Sequence, residues 1–275
     1  MRTLAEERAR RWWQRRPPLR TLSRAAKFID DVHFALLFPK TGVELPTLFE
    51  AASDRSIEQL GQDWGADTEL VWGWKDELPR RGLAWYGRFV RGFPSFLSPA
   101  LLQHLYPRSG TPDDFEETQL APDARRIART ILLSGPTSTA ALREALGVDG
   151  KLGQARFTKA ILELGRGLVV THFGTEEQGA GWPSAVLELT ARAFPVRSGI
   201  DPDHALTVAA GMFLDTMIRA RPHELGNALG IGAAAARIAL EELVRRYEAV
   251  RDGPAYRTAI PRRVSFQASA GGRSP

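Results

Sequence analysis

Residues 120–190 read LAPDARRIARTILLSGPTSTAALREALGVDGKLGQARFTKAILELGRGLVVTHFGTEEQGAGWPSAVLELT. The punctuation of this stretch predicts three short helices followed by a hairpin. Pro122 suits the first position of a helix, and Asp123 stands in its first turn against the positive end of the dipole. Ala124, Ile127, Ala128 and Ile131 then recur at helical spacing, until Gly135-Pro136 stops the run. Ser138 is an N-cap for a second helix, which Gly147 ends. After the turn GVDGKLG, Phe157, Ile161 and Leu164 resume the period, giving a third helix over about 153–164. LVVTHF (168–173) and SAVLELT (184–190) are rich in β-branched and apolar residues, with turn chemistry in GTEEQGAGWP between them. Three helices and a hairpin in this order make a winged helix, and the third helix holds the recognition position.

Working outward, LGNALGI (225–231) repeats LREALGV (142–148) in the pattern L-x-x-A-L-G-[VI], 83 residues further on. A gap of four residues then aligns Ala236, Leu240 and Leu243 with Phe157, Ile161 and Leu164, and residues 249–259 read as a second small hairpin. The unit therefore occurs twice. The second copy has Ala235 and Ile238 where the first has Arg156 and Lys159, so it reads as a poor reader of DNA that packs on the first copy or on a protein partner.

The expected fold is mainly α with small β-hairpin wings, in tandem winged helix-turn-helix domains. The segments are a basic stretch (1–20), an aromatic-rich N-terminal domain that is a candidate irregular third winged helix (21–112), two winged helices (119–195 and 200–260) and a disordered tail (261–275). In the first segment, arginines surround Trp12-Trp13. They would either grip a nucleic acid strand or dock on the next domain, and docking is the simpler reading. From 64 to 96, Trp64, Trp72, Trp74, Trp85, Tyr86, Phe89, Phe93 and Phe96 interleave with Lys75, Arg80, Arg81, Arg88 and Arg91. Such aromatics are most simply core, with the basic residues on the wet face as candidate DNA contacts. Residues 107–121 read as a polar linker.

Composition narrows the function classes. The 275 residues include no cysteine, and the five histidines are scattered, so disulfides, thiolate sites and a dedicated metal site are not expected, and no cofactor is implied. The net charge of +5 favours a polyanionic partner. Of 37 lysines and arginines only five are lysines, leaving 32 arginines, which suit phosphate forks and also follow from a GC-rich genome. The N-terminus lacks the apolar core of a secretion signal and no apolar run is long enough to span a membrane, so a cytoplasmic location is expected. Asp30-Asp31 and Asp76-Glu77 read as solvated helix ends, and His33 is a candidate for orientation by Asp31 but more simply structural.

LSRAAKFIDDVHFALLFPKTGVELPTLFEAA, VWGWKDELPRRGLAWYGRFVRG and GPTSTAALREALG, in this order, resemble the AlkZ-related branch of the winged-helix superfamily that contains the AlkZ and YcaQ DNA glycosylases. The resemblance spans about 20–260. It implies DNA as partner and, in the active enzymes, a catalytic Q-x-Q or Q-x-D pair in the N-terminal winged helix. This chain has neither pair anywhere, and FALLFPKTG in the corresponding segment holds no glutamine, so no catalytic residue is carried over. The expectation is a non-catalytic double-stranded DNA-binding protein with Lys151, Gln154, Arg156 and Lys159 on its reading helix. A glycosylase-like repair enzyme and an interaction scaffold are the alternatives, and Glu176 and Glu177 at the wing tip weigh against DNA.

Overall fold

The structure, a computed structural model, describes residues 2–53, 65–177, 179, 182–197 and 199–259. Trp64, part of the 174–183 turn and the tail 261–275 lie outside the described residues. Among those described, the protein is mainly helical with three small antiparallel sheets. In chain order the elements are α1 (Leu4–Arg11), α2 (Leu22–Val32), β1 (Phe34–Leu36), α3 (Leu48–Ala52), α4 (Ala66–Arg80), β2 (Trp85–Arg88), β3 (Pro94–Leu97) and α5 (Pro99–Leu105). A middle set follows: α6 (Pro122–Ser134), β4 (Thr137–Ser138), α7 (Thr139–Ala145), α8 (Gly150–Arg166), β5 (Val170–Glu176), β6 (Ser184–Leu189) and α9 (Thr190–Ala193). The last set is α10 (Pro202–Met217), β7 (Arg219–Ala220), α11 (Pro222–Leu229), α12 (Ala233–Arg245), β8 (Ala249–Asp252) and β9 (Ala255–Thr258).

The same local chemistry closes the long third helix of each set. Gly82, Leu168 and Tyr247 each take positive φ (66°, 54° and 60°) just past α4, α8 and α12. In each case the next amide reaches back five residues: Leu83 N–H to Leu78 O, Val169 N–H to Leu164 O and Glu248 N–H to Leu243 O, all 2.9 Å. This is a Schellman closure, which satisfies a carbonyl left open at a helix end and turns the chain into the following strand. The first helix of each set likewise leads into its short strand through a positive-φ residue, His33, Gly135 or Ile218. Each sheet has its third strand in the middle, in the orders β1-β3-β2, β4-β6-β5 and β7-β9-β8. The N-terminal region, expected to be irregular, thus follows the same order as the other two.

Packing corrects a second expectation. The sequence predicts that the C-terminal set packs on the middle one or on a partner, and the first of these is overturned, because the set shares one apolar core with the N-terminal set. Phe213 of α10 stacks on Phe34 of β1 with ring centroids 5.4 Å apart. The fully buried Ala209 and Ala210 let α10 come close to its neighbours, including α5. The middle set has its own core, with Phe115, Ile127, Ile131, Leu142, Phe157 and Leu164 at its centre. Backbone takes part in its contact with the N-terminal set. Thr171 Oγ accepts from Tyr86 N–H and donates to Tyr86 O, stitching β5 to β2. Gly165 of α8 lies against Arg88, where an added Cβ would stand 3.3 Å from the carbonyl oxygen.

The N-terminal tryptophans are docked, as the simpler reading expects. Trp12 and Trp13 are buried, and Trp12 Nε1 donates to Thr216 O at 2.8 Å. Arg8 caps the end of α10 by donating to Met217 O and Arg219 O at 3.0 and 2.9 Å. Arg8 is structural, because a buried donor needs a partner.

Candidate nucleic-acid interface

The geometry of α8 follows from its ends. Asp149 accepts from the Gly150 amide at 2.7 Å, and the closure at Leu168 ends it, so the helix runs 150–166 and Lys151 stands in its first turn. Phe157, Ala160 and Leu164 are buried, while Lys151, Leu152, Gln154, Arg156 and Lys159 are exposed. The four expected contact residues are all exposed, but Gln154 and Arg156, two residues apart, point to opposite flanks of α8 and are already engaged. Arg156 grips Asp123 of α6 in a fork, Nε to Oδ2 at 2.9 Å and Nη2 to Oδ1 at 3.0 Å. Gln154 accepts from Arg143 Nε at 3.1 Å. Lys151 and Lys159 have no partner among the described residues.

Magnitudes decide what the Arg156 fork means. An exposed ion pair is worth ~0.2–1 kcal/mol, whereas a bidentate arginine–guanine contact discriminates by ~1–3 kcal/mol. Asp123 therefore orients Arg156 without locking it. At the hairpin tip, Glu176, Glu177 and Trp182 are exposed, Trp182 at 80%.

The N-terminal candidates divide. Arg80 and Arg81 both pair with Glu77, one turn away on α4. Arg88 and Arg91 are exposed and lack a partner among the described residues. Trp74, Trp85, Tyr86 and Phe96 are core, as expected.

The phrase Trp72-Gly73-Trp74-Lys75-Asp76 makes a junction that sequence reasoning left without a role. Asp76 accepts from buried Lys75 Nζ at 2.6 Å, meets His172 Nε2 of β5 and accepts from Thr175 Oγ at 3.3 Å. Lys75 Nζ also lies 4.5 Å from the centre of the Trp72 ring. Burial alone would raise the Asp76 carboxyl, but the hydrogen bonds from His172 and Lys75 outweigh it and hold the group below its ordinary value. Burial pushes the His172 imidazole down despite Asp76, and pushes the neighbouring Tyr86 phenol up. Asp76 thus joins the N-terminal and middle sets, and is not the solvated helix end that its adjacent-carboxylate sequence suggests.

A second polar cluster lies where α1, α2 and α10 meet. Arg11 bridges Asp31 at 3.0 Å and Asp215 at 2.7 Å, and Trp13 Nε1 donates to Asp31 at 2.6 Å. The carboxylate facing His33 is therefore Asp215, at 3.8 Å, and not Asp31, which Arg11 and Trp13 already occupy. His33 and Asp215 line a cavity of about 490 Å³ with Arg246, Tyr247 and Glu248. His33 immediately precedes β1, in the segment where the resemblance places a catalytic pair. Asp215 is 182 residues further along the chain, so no spacing could reveal the contact.

Among the described residues no group of histidines and carboxylates is arranged to hold a metal ion, and no helix is long and apolar enough to cross a membrane.

The family model described as AlkZ related matches residues 19–222, and the chain belongs to that family. Among solved structures, its fold matches the Streptomyces sahachiroi DNA glycosylase AlkZ with a TM-score of 0.57 and 11% identity, over 93% of this chain and 68% of that one. No curated protein matches in sequence.

Proposed function

We propose that this protein binds double-stranded DNA through three tandem winged helices, with α8 as the reading helix and no glutamine-based excision chemistry. The observation that carries the reading is α8 itself, a helix in the third-helix position of the middle set with Lys151, Gln154, Arg156 and Lys159 all exposed. Family membership and the fold shared with a DNA glycosylase support DNA as the partner. Lys151 and Lys159 suit phosphate and Arg156 suits a guanine edge.

Fluorescence anisotropy on duplex DNA at several salt concentrations tests this. Lys159→Ala should lower the slope of log affinity against log salt by ~1 and weaken all sequences alike. Arg156→Ala should weaken binding and relax any sequence preference. Asp123→Ala should strengthen binding by ~1.4- to 5-fold, the worth of the exposed pair it removes. Unchanged binding in all three variants would remove α8 from the reading role.

A second reading, a base-excising enzyme, is favoured by one observation, the His33–Asp215 pair in its cavity. A histidine beside a carboxylate can hold a water for attack. The expected result with methylated duplex DNA is no release of free base. Release that Asp215→Asn abolishes while DNA affinity persists would establish the enzyme reading instead.

A further inference from the structure

The turn joining β2 to β3, residues 89–93, does not project into solvent as a free wing. It reaches the C-terminal end of α8 and packs on α11. Two successive residues there take positive φ, Arg91 at 53° and Gly92 at 75°. For a non-glycine residue this conformation costs ~1–2 kcal/mol, so the surroundings must hold Arg91 there. Fully buried Ser95 does so: its Oγ accepts from Val90 N–H and donates to Phe93 O, both at 3.0 Å. Gly92 suits this turn through its φ, and a Cβ there would stand 2.7 Å from Arg166 Nη2, a contact that the exposed arginine side chain relieves by moving. The Arg166 guanidinium is thus laid across the turn, beside Arg91.

Arg91, Arg166, Asn227 and Phe89 line a cavity of about 500 Å³ where the three sets meet. Neither arginine has a hydrogen-bond or ion-pair partner among the described residues, whereas Arg80, Arg81, Arg125, Arg129, Arg245 and Arg246 each sit on a glutamate. Two guanidinium groups that share a cavity repel each other, and an anion between them reverses the sign of that interaction. Asn227 adds an amide, and Phe89 an apolar wall.

We propose that this cavity is a phosphate seat, filled by the backbone of a DNA strand that runs along α8. The proposal rests on the DNA-binding reading above and extends its footprint. Lys159 and Arg166 are seven residues apart, so they lie on one face of α8 about 10 Å apart along its axis. A strand whose phosphate meets Lys159 and that follows α8 toward its C-terminal end therefore reaches the cavity. The cavity is a contact that the N-terminal and C-terminal sets supply to a reader in the middle set.

The test uses the full chain, the Arg91→Gln/Arg166→Gln variant, and Arg237→Gln/Arg245→Gln as a charge-matched control on α12. Duplex affinity is measured between about 50 and 200 mM salt, the range over which phosphate contacts are read. Pyrophosphate is titrated separately while the Gly92 and Gly230 amides are followed by NMR. The cavity variant should lose ~1–2 from the salt slope, and the control should lose less. Pyrophosphate should shift both amides in the wild type and neither in the cavity variant. Wild-type duplex binding with an unchanged slope in the cavity variant, or an equal loss in the control, overturns the seat and leaves the DNA reading standing. If the wild type binds no duplex, the DNA reading fails. Pyrophosphate then decides the cavity alone: shifts that need both arginines support the phosphate seat, and their absence overturns it.

Discussion

Arg108→Ala is expected to destabilise the full chain by ~3–5 kcal/mol, the cost of breaking a buried ion pair from one side. Arg108 Nε donates to Asp114 at 3.0 Å and Nη1 donates to Gly167 O at 2.8 Å, with both charged side chains under a tenth exposed. Asp114 also accepts from Tyr106 O–H and from Gly110 N–H at 2.9 Å. The guanidinium lies 4.4 Å from the centre of the Tyr106 ring. Without Arg108, a carboxylate stays buried with two neutral donors and no counter-charge, and the carbonyl just past α8 loses its donor. Arg245→Ala is the contrast, because Arg245 is 75% exposed on Glu242 and its loss should stay within ~0.5 kcal/mol. Urea midpoints of the two variants at pH 7 check the pair. A midpoint for Arg108→Ala within error of Arg245→Ala would mean that the buried pair contributes nothing.

That pair sits in the segment read from sequence as a polar linker. The reading rested on composition, and composition does not show that Asp114 and Phe115 are buried while their neighbours are wet. The helices were more legible. Pro122, Ser138 and Pro202 stand at helix starts, and the LREALGV and LGNALGI phrases fall at corresponding second helices, α7 and α11. The N-terminal set was harder because its period is masked: α4 carries Trp72-Gly73-Trp74 and Pro79 in place of an aliphatic stripe, and β1 is only three residues long. At the candidate interface, residue type and helical face were readable for Lys151 and Lys159, whose surroundings are solvent. They were not readable for Arg156, whose partner Asp123 is 33 residues away, nor for Arg166, whose place over Gly92 depends on a turn from another set. Sequence spacing reports contacts within an element, and these contacts cross between elements.

Asp76→Ala is expected to cost as much as Arg108→Ala, ~3–5 kcal/mol, because it leaves buried Lys75 without its counter-charge. The loss should be local first. Asp76 holds α4 to β5, so amide exchange at Tyr86, whose N–H is bonded to Thr171, should quicken before the C-terminal set is affected. The same junction sets a pH dependence whose sign follows from two depressed pKa values. His172 titrates lower in the folded protein than its ordinary 6.5, so the unfolded chain binds the extra proton first, and stability present above pH 6.5 is lost as pH falls toward the folded value. Asp76 is also lowered, from 3.8, so its contribution is lost further down, as pH falls from about that value through the folded one. Acid therefore loosens the junction in two stages, the first belonging to the imidazole. In His172→Gln the loss between pH 7.5 and 5.5 should be smaller than in the wild type, while the lower stage remains. Equal pH slopes for wild type and His172→Gln over that interval would show that another group carries the first stage.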